Sequence, residues 1–264
     1  MYSEEHLYSI ALRECNLIGD INFYKLVRTF GSAKNAWLKA KKEYKKLDGF
    51  GFRMVSDIGN PEHLRFAENE IRFCEKNNIV INLRHFGDLP SLLSECNDAP
   101  AILYQKGNFD DKNQRISIVG TRNMTSYGQQ FLSDFFEETQ SCNYISVSGL
   151  ALGVDKEVHE QSIQKEIPTA AVLAHGFHMI YPSKNRKLSE KILDKGGALF
   201  TEFNSSRKPD RENFIQRNRI VAGLSPSTIV VETAFGGGSV STATFANQYN
   251  REVFALSGKI TVSL

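Results

Sequence analysis

The sequence predicts an α/β protein: a parallel β-sheet with helices on both faces, preceded by a small all-helical domain. Three observations predict it. From residue 115 onward, six short runs rich in β-branched residues (RISIVG, YISVSG, TAAVLA, GALFTE, TIVVET and EVFALSG) alternate with longer helical stretches. Strands that alternate with helices need crossover connections, which make neighbouring strands parallel and bury both faces of the sheet. By contrast, residues 3–58 show only helical spacing of apolar residues. The chain of 264 residues is 41% hydrophobic and 23% charged, enough to bury a core without disulfide staples.

Taken in order, LYSIALREC and INFYKLVRTF carry apolar residues at helical spacing, and NAWLKAKKEYKKL is an amphipathic lysine-rich helix. LDGFG (Leu47 to Gly51) is a tight turn between helical segments. It reads either as the loop of a helix-hairpin-helix, whose glycine amides face a phosphate, or as a plain helix–helix turn. The lysines at 39, 41, 42, 45 and 46 read as a solvated face. The helical domain is placed at 1–60 and the sheet domain at 61–264. Within the latter, residues 61–82 give a helix and the strand IVINL, and PSLLSECNDAPAILYQKG gives a helix, a turn and the strand AILYQ. SYGQQFLSDFFEETQS, DKEVHEQSIQK, NRKLSEKILDK and SVSTATFANQYN are the helices between the later strands, and RKPDRENFIQRNR (207–219) reads as a basic loop.

Bulk properties exclude several classes. The net charge is only +2, so any basic surface is local. Cys15, Cys74, Cys96 and Cys142 are scattered without a C-x-x-C pair, which fits buried thiols in a reducing cytoplasm rather than zinc or redox chemistry. The start, MYSEEHLYSI, lacks a signal-peptide pattern, and no run of 18 apolar residues offers a membrane span.

In a parallel sheet the ligand sits beyond the carboxyl ends of the strands. Each loop there suits an anion. In GTRNMTSYG, Arg122 offers a planar fork for a phosphate, and Ser126, Tyr127 and Gly128 stand where a helix begins, with Ser126 as its alternative N-cap. In SGLALGVDKEVHE, Gly149 allows close backbone approach, while Asp155 and His159 share a helix face and read as a packing pair rather than an acid–base pair. In HGFHMIYPSKN, His175 and His178 lack a third metal ligand nearby, and Lys184 with Asn185 is the phosphate contact. Phe214, in the basic stretch with Arg217 and Asn218, supplies a ring for stacking on a single strand, or is tucked into the core. AFGGGS brings Gly237, Gly238 and Ser239 to a helix start that cradles an anion. Walker A and G-x-G-x-x-G patterns are absent, so no nucleotide cofactor is expected.

Five segments together resemble the DprA/Smf (DNA processing protein A) family. They are ISIVGTRNMTSYG, ISVSGLALGVDKEVHE, HGFHMIYPSKNRKL, NFIQRNRIVAGLS and VVETAFGGGSVSTATFANQYNREVFAL. The resemblance implies an extended Rossmann-like domain after a small sterile-alpha-motif-like one. It also implies a non-enzymatic protein that binds single-stranded DNA and loads the RecA recombinase during natural transformation. Arg122 and Lys184 match the family's main phosphate-contacting positions, with Arg217 and Asn218 added by motif match. Two departures stand out. Gly-Gly-Gly-Ser replaces the family's Ser-Gly-Ser/Thr, and the chain ends at SGKITVSL, before the segment that helps build the family's homodimer. The rival reading is a phosphoribohydrolase of the lysine decarboxylase-like type, with Glu232 and Glu202 as its acid–base pair. A third is a nucleotide-sensing domain.

Overall fold

A computed structural model describes residues 2–233 and 236–258, with Lys46 described by its backbone alone. Ala234, Phe235, the Lys46 side chain and the tail after Gly258, all used in the sequence reading, lie outside the described residues. The chain forms two compact units, Met1–Leu89 with Asn97–Gln105, and Pro90–Cys96 with Lys106–Leu264.

The first unit carries α1 (Glu4–Glu14), α2 (Asp20–Phe30), α3 (Ala33–Glu43), α4 (Phe52–Val55), α5 (Pro61–Lys76) and β1 (Ile79–Leu83), with β1 beside β2 (Ile102–Gly107). Its core is built from Leu12, Phe23, Leu26, Trp37, Val55 and Ile58. The break expected at residue 60 is a helix start. Asn60 accepts from the Glu62 amide at 3.1 Å, Pro61 occupies the first turn, and α5 packs along α1 within the same unit.

The second unit carries α6 (Ser91–Ser94), β3 (Gln114–Val119), α7 (Ser126–Thr139), β4 (Tyr144–Ser148), α8 (Val154–Gln164) and β5 (Thr169–Val172). These are followed by α9 (Arg186–Asp194), β6 (Ala198–Thr201), α10 (Arg211–Gly223), β7 (Ser227–Val230), α11 (Gly238–Gln248) and β8 (Glu252–Ala255). Its strands run parallel in the order β6-β5-β4-β3-β7-β8, in register at Ser117↔Val147 and Ile118↔Ile229. The order reverses at β3. Successive strands step one way to β6, and β7 then returns to the other side of β3.

Both faces of β3 are covered, as the sequence predicts. Ile118 packs with Leu132 and Phe136 of α7 and with Val154 and Val158 of α8. Ser117, pointing to the opposite face, donates to the Val221 carbonyl of α10 at 2.6 Å. A third layer of apolar contacts, Leu188 and Ile192 of α9 against Ala171 and Leu199, closes the sheet over β5 and β6. Among the described residues no helix is long and apolar enough to cross a membrane.

One element departs from expectation. Residues 211–223 form α10, which takes in most of the stretch read as a basic loop (207–219). Asp210 caps it by accepting from the Glu212 amide at 3.0 Å. The helix buries Asn213, Arg217 and Arg219 beside Ile220 and Val221. Because polar side chains occupy inward positions, the apolar period that betrays a helix is erased.

Candidate functional site

The reversal at β3 opens a crevice between the loops that leave β3 and β7, where an open parallel sheet places its ligand. A cleft of about 290 Å³ lies there. It is lined by Gly120–Arg122 after β3, Gly149 and Ala151 after β4, Thr233 and Gly237–Ser239 after β7, and Phe214, Arg217 and Asn218 of α10. Eight sequence-predicted residues therefore meet in one place: Arg122, Gly149, Phe214, Arg217, Asn218, Gly237, Gly238 and Ser239.

Their roles differ from one another. Arg217 is buried, and its guanidinium donates to the carbonyls of Gly149 and Val172. A Cβ at position 149 would lie 2.0 Å from Arg217 Nη1, so only glycine lets the guanidinium reach the strand ends. Asp155 shares the cleft floor and accepts from the Ala151 amide at 3.3 Å. Burial pushes its carboxyl up, against the pull of Arg217, and burial likewise lowers Arg217. The two charges offset each other, so Arg217 is a floor strut more than a free cation. Arg122 is exposed, and its guanidinium stands 5.3 Å from the centroid of the half-buried Phe214 ring. Among the described residues it is the exposed cation that lines the cleft.

The triple glycine ends at the start of α11. Among the described residues no side chain caps this helix, and the first-turn amides at Gly238 and Ser239 border the cleft. Asn218 holds that start in place, donating to the Gly238 carbonyl at 3.0 Å and to Ser241 Oγ at 2.8 Å. The Ser239 hydroxyl donates to Thr233 Oγ1 at 2.6 Å. Asn218 and Ser239 thus serve the cleft through backbone placement, with the Asn218 amide nitrogen and the Ser239 hydroxyl engaged within the protein.

Five predicted residues lie elsewhere. The N-terminus of α7 is already occupied by a carboxylate of the protein. Glu232 accepts from the Thr125 amide at 2.9 Å and from the Thr125 hydroxyl at 2.5 Å, and Gly128 lies against that carboxyl group. The N-cap is Thr125, one residue before the expected Ser126. Ser126 and Tyr127 instead line a groove with Val230, Glu232 and Leu256. Lys184 is exposed in a separate groove between α8 and α9, beside Lys156, Lys187 and Lys191. Asn185 is fully buried, and its amide donates to the carbonyls of Leu150 and Ala151 at 2.8 and 3.2 Å. It ties the start of α9 to the loop that lines the cleft and cannot itself meet a ligand.

The carboxylates of the rival enzymatic reading are also committed. Glu232 caps α7, and Glu202 is buried in an ion pair with Arg219 while accepting from Gln216 at 2.8 Å. Neither lines the cleft. His159 is fully buried, with Nδ1 at 2.7 Å from Thr169 Oγ1, and burial depresses it to about 3. It is a neutral packing group.

The sequence reading missed Thr125 and Glu232 as a helix cap. The signal lies in strand register: Val119 pairs with Val230, which brings Thr121 and Glu232 together two residues on, where the Thr121 amide donates to the Glu232 carbonyl at 2.7 Å. It also missed Tyr181, which packs on Phe214 at 5.9 Å between ring centroids. Among the described residues, Cys15, Asp57 and His63 group as metal-ligand types. Hydrogen bonding accounts for them: Asp57 Oδ2 takes the Asn16 amide, the Asn16 side chain and His63, and burial pushes the Cys15 thiol up to about 12.

Residues 80–264 match the sequence model of the family described as DNA recombination-mediator protein A. The chain is 32% identical to protein Smf of Synechocystis over 97% of its own length and 65% of the relative's. It is 38% identical to the DNA processing protein DprA of Bacillus subtilis over 70% of this chain and 61% of that one. It therefore spans somewhat under two thirds of the length of these relatives. The crystal structure of DprA from Streptococcus pneumoniae superposes with a TM-score of 0.66 at 27% identity, covering 93% of this chain and 89% of that one. DprA from Helicobacter pylori, solved for its single-stranded DNA binding mode, gives 0.62 at 28% identity over 69% of this chain and 82% of that one.

Proposed function

Because this chain belongs to the DNA recombination-mediator protein A family, we propose that it binds single-stranded DNA in the β3/β7 cleft as a DNA-processing and recombination protein. One observation carries the reading. The exposed Arg122 and the uncapped start of α11 border the same cleft, so a cation and free amides can share one phosphate. Lys184, in the neighbouring groove and joined to the cleft wall through Asn185, offers a second contact to a longer strand. Binding by backbone phosphate tolerates any sequence. The commitment of Glu232 and Glu202 to structural bonds supports action by binding rather than by catalysis. Family membership extends the proposal to protection of single strands, loading of the RecA recombinase, homodimer formation and a cytoplasmic setting.

The test is a titration of labelled oligothymidylate at low salt. Wild type binds, and Arg122→Ala combined with Lys184→Ala weakens binding by about a hundredfold, from two charge-assisted contacts. Unchanged affinity in the double variant, or no binding by wild type, overturns the assignment.

A further inference from the structure

Lys39 to Arg53 gathers six basic residues against two acidic ones, in a chain whose whole net charge is +2. The fold decides where those charges point. α3 turns Ala33, Ala36, Trp37 and Ala40 into the core of the first unit. Helical spacing then sends Leu38, Lys39, Lys41 and Lys42 outward, and all four are exposed. Lys45 is exposed in the 3-10 turn Tyr44–Lys46 that continues the helix, and Arg53 is exposed on α4. The two acids of the stretch are Glu43, half-buried, and Asp48 in the turn beyond.

Other exposed helix faces of this protein neutralise their cations. Arg65 pairs with Glu62 and Arg72 with Glu68 along α5, and Lys156 pairs with Glu160 along α8. Each pair has the i,i+3 or i,i+4 spacing that brings side chains together. The outer face of α3 puts like charges at those spacings instead, Lys39 with Lys42 and Lys41 with Lys45, so they repel along the face. Among the described residues no carboxylate pairs with Lys39, Lys41, Lys42, Lys45 or Arg53. A polyanion that neutralises these lysines relieves the repulsion and releases its own counterions.

Two anionic surfaces compete for such a face, a nucleic-acid backbone and a lipid headgroup layer. A helix that lies in a membrane surface needs a broad free apolar face. Here that face is committed to the core, and Leu38 and Phe52, 55% and 56% exposed, are the large apolar side chains left outside it between residues 33 and 55. Lysine meets a phosphodiester as a point charge and needs no pocket to do so. Duplex DNA carries the denser line of charge, so each contact gains more on a duplex than on a single strand.

We propose that the outer face of α3, with Lys39, Lys41, Lys42, Lys45 and Arg53, is a binding site for the backbone of duplex DNA, held without regard to sequence. The site lies within the first unit and stands independently of the single-strand reading of the cleft.

The experiment titrates the full chain with a labelled duplex of about twenty base pairs over a range of salt concentrations. Lys41→Ala, Lys42→Ala and Lys45→Ala combined should weaken duplex binding about tenfold at low salt. The same variant should flatten the slope of log affinity against log salt by about 2.7, the share of three contacts. Arginine at the same three positions should keep both affinity and slope. The triple alanine variant should leave oligothymidylate binding unchanged, and its melting temperature should hold or rise as the repulsion is removed. Arg122→Ala should leave the duplex unchanged. No duplex binding by wild type, or an unaltered slope in the triple alanine variant, overturns the proposal. A triple arginine variant as weak as the alanine one overturns it as well, because charge would not be what binds. Equal losses on duplex and oligothymidylate would mean one shared site and refute a separate one. Binding of wild type to vesicles of phosphatidylserine and phosphatidylcholine, lost in the triple alanine variant while duplex binding stays, would assign the face to a membrane instead.

Discussion

His159 shows at the level of one side chain how the sheet unit treats its polar groups. It sits four residues from Asp155 on α8, a spacing that suggests acid–base chemistry, yet it faces a buried network of Ser146, Ser162 and Thr169. Its Nε2 is buried without a hydrogen-bond partner, so a proton there would be an unpaired buried charge near Arg217. The folded-state value of about 3 lies below the ordinary 6.5. Above pH 6.5 both folded and unfolded chains leave the imidazole neutral, and it contributes no pH dependence. Below that, the unfolded chain takes a proton that the folded chain refuses until about pH 3, so stability is lost as pH falls through this window. The slope is about 1.4 kcal/mol per pH unit once the unfolded histidine is fully charged. Asp155, raised by burial, acts in the opposite sense, since the folded state takes up its proton first as pH falls. Urea denaturation at a series of pH values checks this. Relative to wild type, His159→Leu should flatten the slope between pH 6 and pH 4 by the equivalent of one proton. Parallel curves would mean that His159 is charged in the fold.

Two helix N-termini face the carboxyl edge near β3 and β7, and the protein uses them oppositely. α7 is closed by Thr125 and the Glu232 carboxylate, whereas α11 begins with Gly237 in an extended conformation and no side-chain cap. The difference singles out α11 as the proposed phosphate seat and yields a sharp substitution. Gly238 is the first helical residue, a Cβ there meets nothing within 4 Å, and Gly237 has φ −66° and ψ 156°, the extended form that must precede proline. Gly238→Pro should therefore keep the fold while deleting one amide donor. Affinity for oligothymidylate should fall about tenfold, the worth of one hydrogen bond to a charged acceptor, with the melting temperature held. Undiminished binding would remove the α11 start from the site. The same elements explain what the sequence made legible. The strands stood out because β-branched runs survive wherever both faces of a sheet are buried, and the loops after them could be placed at one edge from that alternation. α10 did not stand out, because Arg217 and Asn213 are turned inward to backbone carbonyls, and composition alone reads such residues as solvated. The fold brings Arg217 and Asn218 to the cleft, where both donate to the protein's own backbone carbonyls. Ser126 missed the cap by one position, because the choice of Thr125 depends on where Glu232 arrives from another strand.

Across the whole molecule, 32 basic residues nearly cancel 30 acidic ones. Such a chain projects little long-range field, so a polyanion gains mainly from the few cations it touches. The structure reduces that number further. Arg217 is offset by Asp155, Arg219 is locked to Glu202, and Lys156 pairs with Glu160 at 3.1 Å. Among the described residues, Arg122 is the exposed cation that lines the cleft, and Lys184 lies in the adjoining groove with Lys187 and Lys191. Each neutralised phosphate of a single strand contributes a slope of about −0.7 to the plot of log affinity against log salt. Two to three contacts then give a total slope of about −1.4 to −2.1, shallow for a protein that binds nucleic acid. Arg122→Ala should remove about 0.7 of it, and Phe214→Ala, which takes away only the ring beneath Arg122, should leave the slope nearer wild type while lowering affinity. A series of titrations from low to moderate salt measures both. A wild-type slope steeper than about −4 would require a broad basic track instead of a local seat. An unaltered slope in Arg122→Ala would mean that its guanidinium does not displace a counterion, and would move the phosphate away from the β3 loop.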